Sequence, residues 1–195
     1  MDSNFSLIQI INKYIGRIYE AKSDYSPYDV VGWRGNYAPY KYNLDLFNTI
    51  GSISFDHPDP CIFTVLTSRS AMEGTAALDF VIFPTRWLVA ENTFKPPYYH
   101  RNCMSEYMGN ICGEYDAKGA SFGPGCSSLH SCMTPHGPDA DSYEGYMKSE
   151  QKPYKIPESN LSFMFESGYL LKTSKYAFED QVADKDYYKC WERLK

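Results

Sequence analysis

Apolar residues in this chain come in short runs that stop at glycine, proline or charge. The clearest are CIFTVLT (61–67), AALDFVIFP (76–84), RWLVAE (86–91), ICGEY (111–115) and LSFMFESGYLL (161–171). Runs of this length, rich in β-branched and aromatic residues, predict strands. Their number predicts an all-β fold, a sandwich or barrel, with a few short helices. Helix signals are sparse. In GPDADSYEGYMKS, Pro138 and Asp139 mark a helix start, which predicts a short helix near 139–148. KDYYKCWERLK predicts another at the end of the chain. Near the N-terminus Ile8, Ile11, Ile15 and Ile18 recur at helical spacing, so periodicity alone predicts an amphipathic helix, interrupted at Gly16. There is no internal repeat, linker or low-complexity tract, so the sequence shows no second domain.

Composition narrows the class. A chain of 195 residues suits one sizeable domain, long enough to bury roughly 70 % of its unfolded surface. Net charge is −5 and no basic run occurs, which argues against nucleic acid and anionic membrane as partners. No apolar stretch approaches the roughly 20 residues of a membrane-spanning helix. The opening MDSNFSLIQIINKY lacks the basic start and uniform apolar block of an export signal. A cytoplasmic location is therefore expected. The six cysteines, Cys61, Cys103, Cys112, Cys126, Cys132 and Cys190, form no CxxC pair and no regular framework. They read as reduced thiols, with zinc binding through them a weaker alternative.

Candidate chemistry lies in the histidines. Three of the four fall within 37 residues, in YYHRNCMSE and SLHSCMTPHGPDAD. Two imidazoles and one carboxylate on one face of a metal form the ligand set of non-haem Fe(II) oxygenases, which leaves positions open for substrate and O2. The competing reading makes His100 and His130 ordinary packed or surface histidines. His100 and Glu106 are six residues apart. A helix would turn that step through about 600°, and a straight strand would separate the two by about 20 Å. To share a ligand the chain must bend between them, and Asn102 and Ser105 are suitable turn residues. His130, six before His136, is a partner behind the ligands, a substrate contact, or a packed histidine bonded to backbone. His57, in FDHPDP, reads as a turn histidine. With 18 tyrosines in the chain, residue type alone marks none as functional.

The words INKY, VVGWRGNYAPYKYNL, FDHPDPCIFTVLT, DFVIFPTRW, FKPPYYHRNCMSEYMG, SLHSCMTPHGPDAD and FMFES, in this order, resemble the C-terminal half of the homogentisate 1,2-dioxygenase family. The resemblance runs from about Ile10 to the last residue. It implies a cupin-type β-barrel or jelly roll over residues 10–195, preceded by a divergent segment 1–9. It implies Fe(II) held by His100, Glu106 and His136, and a substrate contact from Tyr115 beside His136. It further implies ring opening of homogentisate by O2 to maleylacetoacetate, in tyrosine and phenylalanine breakdown, by a homo-oligomer. Two departures stand out. The family's N-terminal half is missing, so apolar surface should be exposed. The family's W-H-G-N-Y reads WRGNY here, which puts Arg34 at the position of the family's general base. A guanidinium has no acceptor lone pair and cannot serve as that base near neutral pH. Arg34 either stabilises an ionised substrate or turns outward. A non-enzymatic cupin remnant, or a scaffold pairing with a separate N-terminal half, is the alternative to an enzyme.

Overall fold

In the computed structural model of the chain, residues 7–27, 40–49, 60–88, 99–119, 121–179 and 181–194 are described. Contacts divide the chain into two units, one of residues 1–44 and 173–183, the other of 45–172 and 184–195. The larger unit is built on a five-stranded antiparallel sheet. Its strands are β3 (Thr64–Arg69), β4 (Ala76–Pro84), β6 (Ser105–Cys112), β7 (Ser127–His130) and β9 (Leu161–Ser167), in the spatial order β3-β4-β9-β6-β7. A two-stranded pairing of β5 (Trp87–Leu88) with β8 (Tyr154–Lys155) lies beside it in the chain order. Among the described residues the single α-helix is α1 (Ala140–Lys148). The expected all-β class with a few short helices is what the structure shows.

Side chains alternate between the two faces of the sheet. Opposed residues Met108, Met164 and Val81 share one face with Phe83 and meet Phe63 and Phe122 in the buried core. Tyr107, Phe165 and Phe80 are opposed on the other face. There Phe80 and Phe165 rings lie 5.1 Å apart and Phe163 and Phe165 rings 5.7 Å apart. This second face stays partly open, with Leu66, Leu78 and Tyr107 exposed.

One register row departs from this apolar pattern. His130, Glu106, Glu166, Asp79 and Thr67 stand directly opposite one another across β7, β6, β9, β4 and β3. They occupy the core face, one pleat away from Met108, Met164 and Val81. Glu106, His130 and Glu166 are buried, and Thr67 donates to Asp79 over 2.6 Å at the sheet's edge.

The helix near 139–148 forms as its cap predicts. Asp139 Oδ1 accepts from Ser142 N at 2.7 Å, satisfying one of the free amides of the first turn. Other expectations shift. CIFTVLT divides into a 3₁₀ turn, Pro60–Phe63, and the start of β3. Of RWLVAE only Trp87–Leu88 forms a strand, and 89–91 lie outside the described residues. The C-terminal segment makes a 3₁₀ turn, Tyr187–Trp191, rather than an α-helix.

The N-terminal helix expectation is overturned. β1 (Ile8–Tyr14) and β2 (Arg17–Ser23) form an antiparallel hairpin with Tyr14 opposite Arg17. Ile15 and Gly16, at φ 48° and 70°, form the two-residue connection, and positive φ at both matches the twist of the flanking strands. Gly16 was the decisive signal: it marks a turn rather than a flaw in a helix. Ile15, 77 % exposed, is a β-branched residue in a conformation that such residues rarely adopt.

Candidate metal centre

The chain solves the bend between His100 and Glu106 with a side-chain turn. Asn102 Oδ1 accepts from Met104 N at 3.0 Å, turning residues 102–104 so that Glu106 enters β6 near its first residue. His100 and His136 are joined by an isolated antiparallel bridge, each backbone N–H donating to the other's carbonyl at 3.0 Å. The segment carrying His136 is fixed on the other side as well. The Tyr99 hydroxyl donates to Pro138 O at 2.7 Å, and the Trp191 indole N–H donates to Gly137 O and Pro138 O at 3.2 and 3.1 Å. A Cβ on Gly137 would come within 2.4 Å of the Tyr99 ring, so glycine is required next to this histidine.

These contacts gather three donor residues. Donor atoms of His100, Glu106 and His136 all lie within 4.8 Å of one another. His136 Nε2 is 2.9 Å from Glu106 Oε2, and His100 Nε2 is 4.0 Å from Glu106 Oε1. Metal–ligand bonds of about 2.1 Å put neighbouring donors about 3 Å apart, so a small closure around an ion satisfies the set. His136 Nδ1 donates to Thr134 O at 2.9 Å, so Nε2, the atom that meets Glu106 Oε2, is the nitrogen that a metal would take once its proton is released. Burial alone would raise the Glu106 pKa, but the hydrogen bond and charge of His136, a hydrogen bond from Asn102 and the charge of His100 bring it below the usual value. Burial works to lower His136, and the bond and charge of Glu106 outweigh it, so its pKa is raised. The donor set fits a divalent metal in residue type and spacing.

His130 does not join this set. Its ring stacks on His136 with centroids 4.2 Å apart and planes 10° from parallel, and its Nε2 meets the Tyr187 hydroxyl at 3.1 Å. Burial, then the neighbouring charges of His136 and Lys118, push its pKa down to about 3, so it is neutral at ordinary pH. The ring of His130 is thus held by His136 and a side-chain hydroxyl. Tyr187 leads on to Lys118, whose buried Nζ bonds the same hydroxyl and lies 4.3 and 4.9 Å from the ring centres of Tyr187 and Trp191. Burial lowers the Lys118 pKa. Sequence reading missed Lys118, Tyr187 and Trp191. A lone lysine and two aromatics near the C-terminus carry no spacing signal, since Tyr187 reaches His130 from 57 residues away.

Tyr115 and Lys118 lie on the loop after β6. Asn110, buried at the end of that strand, donates to Gly113 O and Phe122 O at 2.8 and 3.0 Å and so closes the loop. Asp139, while capping α1, also accepts from Gly119 N at 3.0 Å. The Tyr115 ring packs edge-on to Phe83 at 5.4 Å and near Phe122 at 6.3 Å. Burial first, and then the charge of Asp116, raise its pKa. The structure places Tyr115 in the core wall rather than among the three donors. Arg34, Asn36, Tyr37 and His57 lie outside the described residues. Cys103, Cys112, Cys126, Cys132 and Cys190 are free thiols, and among the described residues no cysteine joins a metal-type cluster.

A β-rich fold presenting two histidines and a carboxylate to one point defines a protein with a site that could hold a metal ion. A family profile described as homogentisate 1,2-dioxygenase C-terminal matches residues 45–195, and one described as homogentisate 1,2-dioxygenase N-terminal matches 1–44. The chain belongs to the homogentisate 1,2-dioxygenase family. Curated relatives of that name include one from Dictyostelium discoideum, 59 % identical over 95 % of this chain and 43 % of its own length. Those from Homo sapiens and Caenorhabditis elegans are 56 % and 58 % identical, each over 95 % of this chain and 42 % of its own length. The chain thus spans less than half the length of these relatives.

Proposed function

We propose that this chain carries the Fe(II) centre of a dioxygenase that opens the ring of homogentisate with O2 to give maleylacetoacetate, in the cytoplasmic breakdown of tyrosine and phenylalanine. The observation that carries this reading is the convergence of His100, Glu106 and His136 within 4.8 Å, in a chain of this family. A bound ferrous ion supplies Lewis acidity toward a phenolate and one-electron chemistry toward O2. The residues supply the rest. His100 and His136 offer neutral imidazole nitrogens and Glu106 one negative charge, which leaves a ferrous site near net +1 and receptive to a phenolate. The stacked His130 covers one side of His136 and excludes water from it. Lys118, a buried cation close to that stack, is the group best suited to pair with the substrate's carboxylate. Tyr115 is the proposed substrate contact from the loop after β6. Arg34 cannot accept the proton of a substrate hydroxyl, so deprotonation falls to water or hydroxide.

The test is anaerobic loading of the purified chain with Fe(II), followed by homogentisate and air, with the absorbance of maleylacetoacetate as readout. Uptake of about one Fe(II) per chain and slow turnover are expected. Arg34→His should raise turnover near pH 7 by roughly 10²–10⁴, the usual worth of a general base, and should flatten the rise of rate with pH. Full iron occupancy with no product in either form would favour the second reading, a metal-binding scaffold without activity, which the arginine at position 34 supports. Assembly as a homo-oligomer is part of the proposal and is checked by sedimentation.

A further inference from the structure

The three ligand-bearing segments meet at one residue that is not a ligand. Asn102 Oδ1 accepts from Met104 N and so makes the bend that aims Glu106. Its backbone carbonyl accepts from Met133 N at 2.7 Å, which ties it to the turn leading to His136, where Met133 itself stands at φ 64°. Its Nδ2 donates to Glu166 Oε1 at 3.3 Å. Glu166 stands directly opposite Glu106 on the neighbouring strand, and both are buried. Two carboxylates in such a cross-strand pair repel, and burial removes the water that would screen them. An amide that donates to Glu166 spreads its charge and fixes its direction, which relieves the repulsion on Glu106.

We infer that Asn102 is the positioning residue of the metal centre, keeping the Glu106 carboxylate aimed between His100 and His136 by holding the opposed Glu166 with its N–H while its carbonyl groups hold the two flanking turns. This rests on the metal reading above and deepens it. A carboxylate held in a single orientation loses little freedom when it binds, whereas a carboxylate turned away by Glu166 must be brought back. The role needs both halves of one amide. Serine keeps a short side-chain acceptor for the turn and loses the amide N–H that reaches Glu166.

The test compares wild type, Asn102→Ser, Glu166→Gln and the double variant, using Co(II) as the probe. Kd comes from competition with a chelator, geometry from the visible absorption of bound Co(II), and fold from melting of chelator-treated protein. Asn102→Ser is expected to raise the Co(II) Kd by about 10- to 100-fold, the usual effect of removing a ligand's supporting hydrogen bond, and to alter the Co(II) absorption. Its metal-free melting temperature should stay within about 4 °C of wild type, as for a loss near 1 kcal/mol. Adding Glu166→Gln removes the opposing charge and offers an amide to Glu106, so the double variant should regain most of the lost affinity. An unchanged Kd in Asn102→Ser would overturn the assignment. So would a loss that follows a lowered melting temperature and is not relieved by Glu166→Gln. A wild-type chain that takes up no Co(II) overturns the metal reading and this inference with it.

Discussion

Two rows of side chains cross the same face of the same sheet, one pleat apart. Met108, Met164 and Val81 are apolar and buried; Glu106, Glu166 and Asp79 are carboxylates on the same three strands, the first two buried. Identical strand pairing therefore supports packing in one row and charge in the next. The difference lies in what each row finds at its ends. The apolar row is closed by other apolar groups, Phe63 and Phe122. The charged row is closed by polar partners: His136 on Glu106, Asn102 on Glu166 and Thr67 on Asp79. Buried charge persists only where such partners exist.

The contrast is sharpest if each row is cut separately. Met164→Ala should cost about 2–5 kcal/mol in urea unfolding, the usual range for a buried large-to-small change. Metal affinity per folded molecule should stay constant, and a weaker site at unchanged stability would erase the distinction between the rows. Glu106→Gln should do the opposite. Co(II) affinity should fall by more than about 100-fold, since a charged ligand is lost outright, and stability should fall less than in Met164→Ala.

Acid should act on the charged row first. The folded His130 pKa is about 3 against 6.5 for an unhindered imidazole, so below pH 6.5 the unfolded chain takes up a proton that the folded chain refuses. Stability of chelator-treated protein should therefore fall as pH drops from 6.5 to 4.5, by up to about 1.4 kcal/mol per pH unit. His136, with its raised pKa, contributes fully throughout that window. Its share is lost only above pH 6.5. Glu106, with its lowered pKa, adds to the fall only below about 4.5. Circular dichroism melts of His130→Gln across pH 4.5–6.5 should show a flatter slope. An unchanged slope would remove His130 as its source. The smallest effect is expected at the edge of the row. Thr67→Ala should cost about 0.5–1.5 kcal/mol at most, the worth of one hydrogen bond, and leave Co(II) affinity untouched.

What the sequence made legible was local. The 76–84 run is β4 residue for residue, because its apolar block ends at a proline. The helix at 139–148 was legible through Pro138 and Asp139, whose capping bond spans three residues. Asn102 as a turn residue was legible for the same reason. The N-terminal hairpin was misread because isoleucines three or four apart satisfy a helical period, while a two-residue turn leaves only Gly16 as its mark. What joins distant segments was not legible at all. The opposition of Glu106 and Glu166 depends on a register set 60 residues apart, and the bonds of Tyr187 to His130 and Lys118 depend on where the C-terminal turn docks. The three donors were named only because the family words carried them.

The sheet order has a consequence for timing. β9, the last of the described strands in chain order, sits at the centre between β4 and β6. All three candidate donors, residues 100 to 136, leave the ribosome before it. Until Ser167 has emerged, the five-stranded sheet can form only its pairs β3–β4 and β6–β7, and two-stranded pieces are marginal in water. At synthesis rates of about 5–20 residues per second, the nascent chain carries its donors for seconds without the strand that opposes Glu106. The three donors thus gain their opposing strand after they are made, from a strand that contributes none of them.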